Sequence, residues 1–422
     1  MMNRLITYRT ALSAIAMLGF ASCDKAAPEK LGPGKDLVLT AAEQQKAGND
    51  NRFAFELFRT ATTNLKANEN ALLSPLSVGV ALAMTNNGAV GETRRAIEQT
   101  LKFDGFDTET INAYYQKLLT DLPALDPRTT LDIANSIWYR QGFHVLPDFL
   151  NINGTFYNAN VSALDFADPA ARDVINNWVS NKTRKKIPTI IDNGIPADMV
   201  MYLINAVYFK GTWEQRFKKA DTKRGVFSLP DGSTLQTDFM QVRHKFNLAA
   251  TDEAEAIELP YGNRKYSMVV LMPRGGTTPA QLAEKLVGPE AWASVVGAFR
   301  TAEVQLALPK FKFSYENKLN DELSGMGMGI AFSPQADFSG IGGGRNLVIS
   351  EVKHKSFIEV NEEGTEAAAV TSVGVELTSV GPSVYTLNVK RPFLFAIREM
   401  NTGLILFLGQ VNNPSIEETK AI

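Results

Sequence analysis

The chain has 422 residues, 45% hydrophobic and 21% charged, with a formal net charge of −2. That balance is ordinary for a soluble globular protein with ample core material, and near-neutral charge argues against nucleic acid as a main partner. Cys23 is the only cysteine, so no disulfide can stabilise the fold and packing must hold it alone.

Residues 1–22 read as an export signal. Arg4 and Arg9 supply the positive flank, residues 11–20 the short apolar run, and Ala21-Ser22 the small residues before a cut. The run is too short to span a bilayer. Cys23, just after the cut, resembles the lipidated cysteine of a bacterial lipoprotein signal, with Phe20 where leucine is usual; plain secretion is the alternative. The expected location is therefore the cell envelope, tethered through Cys23, or the extracellular medium. Residues 24–36 are rich in Pro, Gly and Lys and read as a flexible tether. The reading divides the chain into a signal (1–22), a tether with the start of the first helix (23–48), one domain (49–415) and a tail (416–422).

Helical patterning begins near Thr40 and continues past Phe53, Phe55, Leu57 and Phe58. Ser74 can cap a second helix that Pro75 opens. Its side chains, Ala81, Leu82, Ala83 and Met84, are small and apolar, so it should be buried. Gly88-Ala89 ends it and Gly91 starts another. Residues 131–139 alternate as a strand. Residues 172–186 read as a helix, with the basic KTRKK at its end as a solvated terminus, and the IPTII that follows looks extended. Residues 201–213 form a long apolar strand carrying one amide, Asn205, as central strands do.

The second half is strand-rich. Strands are expected over 256–260, 266–272, 304–313 and 347–351, with helices over 279–286 and 315–325. Residues 392–399 and 404–412 form a hairpin about the Met400–Gly403 turn. Helices early and strands late indicate an α+β fold. Enzyme signatures are missing: His144, His244 and His354 lie in no HExxH, and no G-x-S-x-G elbow, Walker loop or EF-hand loop occurs. Cofactor and metal motifs are likewise missing.

One interior stretch is unusual: residues 362–382, EEGTEAAAVTSVGVELTSVGP. Read with period two, Thr365, Ala367, Ala369, Thr371, Val373 and Val375 share one face, all small and uncharged. The other face, Glu366, Ala368, Val370, Ser372, Gly374 and Glu376, holds the charges. It is a loop composition written so that it can become a strand.

This stretch, with its flanks HKSFIEVNEEGTEAAA (354–369) and KRPFLFAIREMNTGLILFLGQVNNP (390–414), resembles the reactive-centre region of the serpins. So do Ser74-Pro75-x-Ser77 followed by GA-x-G-x-T, INAVYFKGTWEQRF (204–217) and GMGIAFSPQADFSGI (327–341). The resemblance runs from about residue 50 to Pro414. It implies the serpin fold, helices packed around three β-sheets with a reactive-centre loop either exposed or inserted. It also implies a suicide inhibitor of serine proteases, possible against cysteine proteases too, and no enzyme. Such an inhibitor is cut, forms an acyl complex with the protease and traps it by inserting the cut loop as a new strand.

Residue by residue, the resemblance places the hinge at Glu362, Gly364, Thr365, Glu366, Ala367, Ala368 and Ala369. The scissile bond falls at Thr378–Ser379, with Leu377–Thr378 and Glu376–Leu377 as alternatives because the stretch from Ser379 to Pro392 is longer than usual. A polar cluster beneath the sheet comprises Ser74, Ser77, Asn205 and His354. Lys310 should pair with Glu362 near Trp213 where the loop enters. No Lys or Arg occurs over residues 363–389, which disfavours trypsin-like targets and suits elastase-like or subtilisin-like ones. The expected partner is that protease, with no cofactor, no nucleic acid, a membrane only through Cys23, and a monomeric chain. The competing readings are a non-inhibitory serpin and a surface lipoprotein that serves as a binding module.

Overall fold

The computed structural model describes residues 32–345, 347–365 and 384–420. The first helix, α1 (Ala41–Thr62), starts where its cap dictates. The Thr40 hydroxyl accepts from the Glu43 N–H while the Glu43 carboxylate accepts from the Thr40 N–H. Ser74, after the short strand β1 (Ala71–Leu73), caps α2 (Pro75–Asn86). That helix is apolar on nearly every side and accordingly lies inside the molecule, between the two sheets. α3 (Gly91–Thr100), α4 (Thr108–Asp121), β2 (Thr129–Arg140), α5 (Pro147–Tyr157) and β3 (Asn160–Leu164) follow. The next helix, α6 (Ala170–Lys182), stops short of the expected residue 186. Arg184 and Lys185 both take positive φ, which ends a right-handed helix, and 187–191 form no strand.

The second half supplies β4 (Met201–Thr212), β5 (Lys223–Ser228), β6 (Thr234–Ala250), β7 (Ala254–Pro260) and β8 (Tyr266–Pro273), then α7 (Pro279–Lys285) and α8 (Ala291–Gly297). The run expected as one strand over 304–313 is two, β9 (Arg300–Pro309) and β10 (Phe311–Lys318), because the chain changes sheets at Lys310. The helix expected over 315–325 begins only after β10, as α9 (Asn320–Leu323). Residues 315–318 instead continue the ladder with a later strand. After α10 (Ser339–Gly342), the strand expected over 347–351 does not form. Those residues bond across to short helical segments: Ile349 N–H donates to the carbonyl of Ala331, in a 3-10 turn over Gly329–Phe332, and Nδ2–H of Asn320, the first residue of α9, to that of Ser350. The ladder starts two residues later with β11 (Lys353–Asn361), followed by β12 (Gly364–Thr365), β13 (Tyr385–Asn388), β14 (Phe393–Glu399), β15 (Ile405–Val411) and β16 (Glu418–Lys420).

Two hydrogen-bonded sheets result among the described residues. One has seven strands in the order β16-β10-β11-β12-β4-β2-β3. The other has nine, β1-β15-β14-β8-β7-β6-β9-β13 with β5 on β6. The long strand β6 pairs with β7 at its end and with β9 and β5 along the rest, so it joins two sheets of the expected three into one continuous ladder. The architecture is α+β. No described helix is long and apolar enough to cross a membrane.

Candidate functional site: the hinge and the parted sheet

The seven-stranded sheet is complete only at one end. β11 and β4 are not paired with each other. β12, two residues long, bridges them, with Gly364 opposite Asn361 and Thr212 and Thr365 opposite Val360 and Gly211. Below this bridge the two strands enclose a cavity of about 520 Å³. Its walls include Met201 to Val207 of β4, Lys353 to Ser356 of β11, the cap residue Ser74, and Ser77 and Val78 of α2. The cavity follows the lane a further strand would occupy.

The bridge is held by charge, hydrogen bonds and shape. Glu362 is almost wholly buried, and its carboxylate lies 3.2 Å from Lys310 Nζ. Thr222 Oγ1 donates to the same carboxylate at 2.8 Å. Burial alone would raise the Glu362 carboxyl. Its own backbone N–H, Thr222 and Lys310 outweigh that and hold it below its ordinary value. The backbone is tied down as well: Trp213 N–H donates to the Glu363 carbonyl and Phe217 N–H to that of Glu362. Trp213 Nε1–H reaches the Asn361 carbonyl at 2.9 Å. Gly364 has φ +150°, and a Cβ there would run into the Gly211 carbonyl oxygen, so only glycine can enter between the strands. Thr365 faces the core and is 3% exposed.

Beneath the sheet, His354 Nε2 accepts from the Ser74 backbone N–H at 3.2 Å. Ser74 Oγ donates to the Leu406 carbonyl and accepts from the Ser77 N–H, which is also the helix cap. Ser77 Oγ donates to the Asn205 carbonyl at 3.5 Å. Burial pulls the His354 pKa down to about 4, so the ring is neutral near pH 7, as an acceptor must be.

A family model described as Serpin (serine protease inhibitor) matches residues 48–414. The chain belongs to the serpin family. It is 37% identical to leukocyte elastase inhibitor of Xenopus tropicalis over 372 residues, covering 86% of this chain and 97% of that protein. It is 35% identical to serpin B3 of Homo sapiens, covering 86% and 98%. Among solved structures, the native state of the thermophilic serpin tengpin superposes with a TM-score of 0.81 at 35% identity, covering 91% of this chain and 97% of that one. Human thyroxine-binding globulin superposes at 0.80 with 27% identity, covering 89% and 100%. Relatives in this family, leukocyte elastase inhibitor among them, are named as protease inhibitors, and the chain is not an enzyme.

Against this frame the expected residues fall into three groups. Lys310, Glu362, Trp213, Gly364 and Thr365 come together at the sheet's closed end. Ser74, Ser77 and His354 meet beneath it, but the Asn205 side chain turns away, donating from Nδ2 to Asn135 Oδ1 at 2.6 Å. Asn135 in turn donates to the Tyr157 carbonyl, so the amide joins a path toward α5. Cys23, the hinge positions Glu366 and Ala367 to Ala369, and the bond region Glu376, Leu377, Thr378 and Ser379 lie outside the described residues. Sequence reasoning missed Thr222, Asn135 and Tyr261. Each sits in an ordinary strand or loop context, and only the fold brings it to the site. The chain beyond the family match includes the tail expected over 416–422. Its residues 418–420 add a parallel strand to β10.

Proposed function

We infer that the protein is a trapping inhibitor of serine proteases, with a mechanism extending to cysteine proteases, that acts by inserting its cut loop into the parted sheet. One observation carries this reading: the loop's first two residues already form β12, and the lane beyond them, between β4 and β11, is a cavity. The protease's serine adds to the carbonyl of residue 378, the peptide C–N bond breaks, the Ser379 amine leaves with a proton, and an ester remains. Insertion then competes with hydrolysis of that ester. The thirteen or so residues between the hinge and the bond extend roughly 40 Å as a strand, enough to carry the acylated protease along the sheet. Thr365, Ala367 and Ala369 bring no charge or bulk into the lane.

Two facts support an elastase-like or subtilisin-like target: the lack of Lys and Arg over 363–389, and a relative named leukocyte elastase inhibitor. The protein works as a monomer. We propose export by residues 1–22, followed either by tethering through a lipid on Cys23 or by secretion. The test is a gel. Incubation with elastase-like, subtilisin-like, chymotrypsin-like and trypsin-like proteases should give an SDS-stable adduct with the first two, and mass spectrometry of the released C-terminal peptide should locate the cut within residues 376–380. Cleavage with no adduct would make the chain a substrate and the non-inhibitory reading correct.

A further inference from the structure

Tyr261 follows the last residue of β7 and is 0% exposed. A buried phenol needs a hydrogen-bond partner. Its partner is Thr365, with the two hydroxyl oxygens 2.6 Å apart across 104 residues of chain. The ring has little freedom to find another. It stacks on Trp213 at 4.5 Å and 10° and meets Phe209 edge-on at 5.2 Å. It also fills the space over Gly211, where a Cβ would come within 2.6 Å of it. Gly211 is itself the residue paired with Thr365. The phenol is therefore fixed in place, its oxygen aimed at Thr365, a hinge residue whose side chain is buried in the sheet.

When β12 is in the sheet, both hydroxyls are satisfied. Withdrawing β12 would free Thr365 to bond water, while the phenol, held between Trp213 and Phe209, would lose its partner, an asymmetry that favours the seated hinge. We propose that Tyr261 is a positioning residue, a latch that seats Thr365 in the sheet before the loop is cut and so primes insertion of the rest. The proposal rests on the trapping reading. A seated β12 fixes the register of the incoming strand, which a one-residue slip would turn inside out. Insertion then continues a strand already begun and need not start one while the ester is exposed to water.

The test uses the full exported chain with Tyr261→Phe, Thr365→Val and the double substitution, and pancreatic elastase as the probe protease. Each single change should raise the number of inhibitor molecules consumed per protease trapped several-fold without slowing the first cleavage. The double change should be no worse than the worse single, because removing both hydroxyls leaves no orphan. Unchanged stoichiometry in the singles, or defects that multiply in the double, would overturn the latch. A second readout does not depend on inhibition. Hydrogen exchange at the amides of Gly364, Thr365, Gly211 and Thr212 should quicken in Tyr261→Phe while exchange in β14 and β15 stays unchanged. Equal exchange at those four amides sinks the latch, whatever the protease assay gives. If the wild type is only cleaved yet exchange quickens as expected, the trapping reading fails and the seat stands.

Discussion

Replacing Glu362 should loosen the closed end of the seven-stranded sheet, and the structure sets the scale. The Glu362 side chain is 6% exposed and the Lys310 side chain 38%, so the two ends of the pair live in different solvents. The solvated Lys310 end contributes about 1 kcal/mol or less. The hydrogen bond from Thr222 to the buried carboxylate is worth about 1.5–3 kcal/mol while the group is charged. The Thr222 contact should therefore matter more than the ion pair. Glu362→Gln, which keeps the shape and can still accept from Thr222, should cost about 1–2 kcal/mol. Glu362→Lys removes both interactions and sets two cations together. At an effective dielectric of 20 their repulsion at 4 Å is about 4 kcal/mol, relieved in part as Lys310 swings toward water, so a total of about 3–5 kcal/mol is expected.

That loss falls where β11 and β4 are held together by two residues. The expected outcome is that one molecule's loop enters another's sheet, read as a ladder of polymers on a native gel after mild heating. Adding Lys310→Glu should restore much of the monomer. pH gives an independent check. The folded carboxyl lies below its ordinary value, so its contribution is fully present above about pH 4.5 and is lost as pH falls through the folded pKa. The stability gap between wild type and Glu362→Gln should accordingly close in acid. A Glu362→Lys protein that stays monomeric with unchanged melting, or a gap that does not narrow in acid, would refute this account of the hinge.

Two further outcomes are expected. His354 has a folded pKa near 4 against 6.5 in the unfolded chain, so its contribution is intact above pH 6.5 and lost as pH drops toward 4, by up to roughly 3 kcal/mol; thermal melts should show that slope, and His354→Gln should flatten it. Deleting residues 415–422 removes β16, whose Thr419 is 2% exposed and whose register covers 314–316 of β10; an uncovered edge strand templates pairing with another chain, so size-exclusion chromatography should show concentration-dependent association that the full chain lacks, and an unchanged monomer would deny the tail this capping role.

How much of this was legible in the sequence varies with the range of the interactions involved. The helix starts at Thr40 and Ser74 were readable because a cap is local chemistry within four residues. The break at Lys310 was not, since nothing within 304–313 marks it. It arises because Lys310 N–H donates to the Asp238 carbonyl in one sheet while Phe311 opens the ladder of the other. The false strand at 347–351 errs in the opposite way: its β-branched residues have the right composition, but its backbone bonds to short helical turns and not to a neighbouring strand. The pairing of Lys310 with Glu362 was reachable only through family resemblance, because composition and periodicity carry no information about a contact across 52 residues.

Thr222 and Tyr261 escaped both routes, and the reason bears on how such a site works. Each acts on the hinge with a single hydroxyl, from a segment that would be unremarkable in any sheet protein. Yet Thr222 supplies the shorter bond to Glu362, 2.8 Å against 3.2 Å from Lys310, and Tyr261 supplies the bond to Thr365. Seating β12 thus depends on two polar contacts from outside the hinge motif, together with a glycine that alone permits the approach. A loop with the right small residues but without Thr222 and Tyr261 would still read as a competent hinge in sequence, while its first two residues would lack the contacts that hold them between β11 and β4. Competence to insert is therefore a property of the sheet's closed end as much as of the loop, and relatives with identical hinges can differ in how far the strand has begun before the cut.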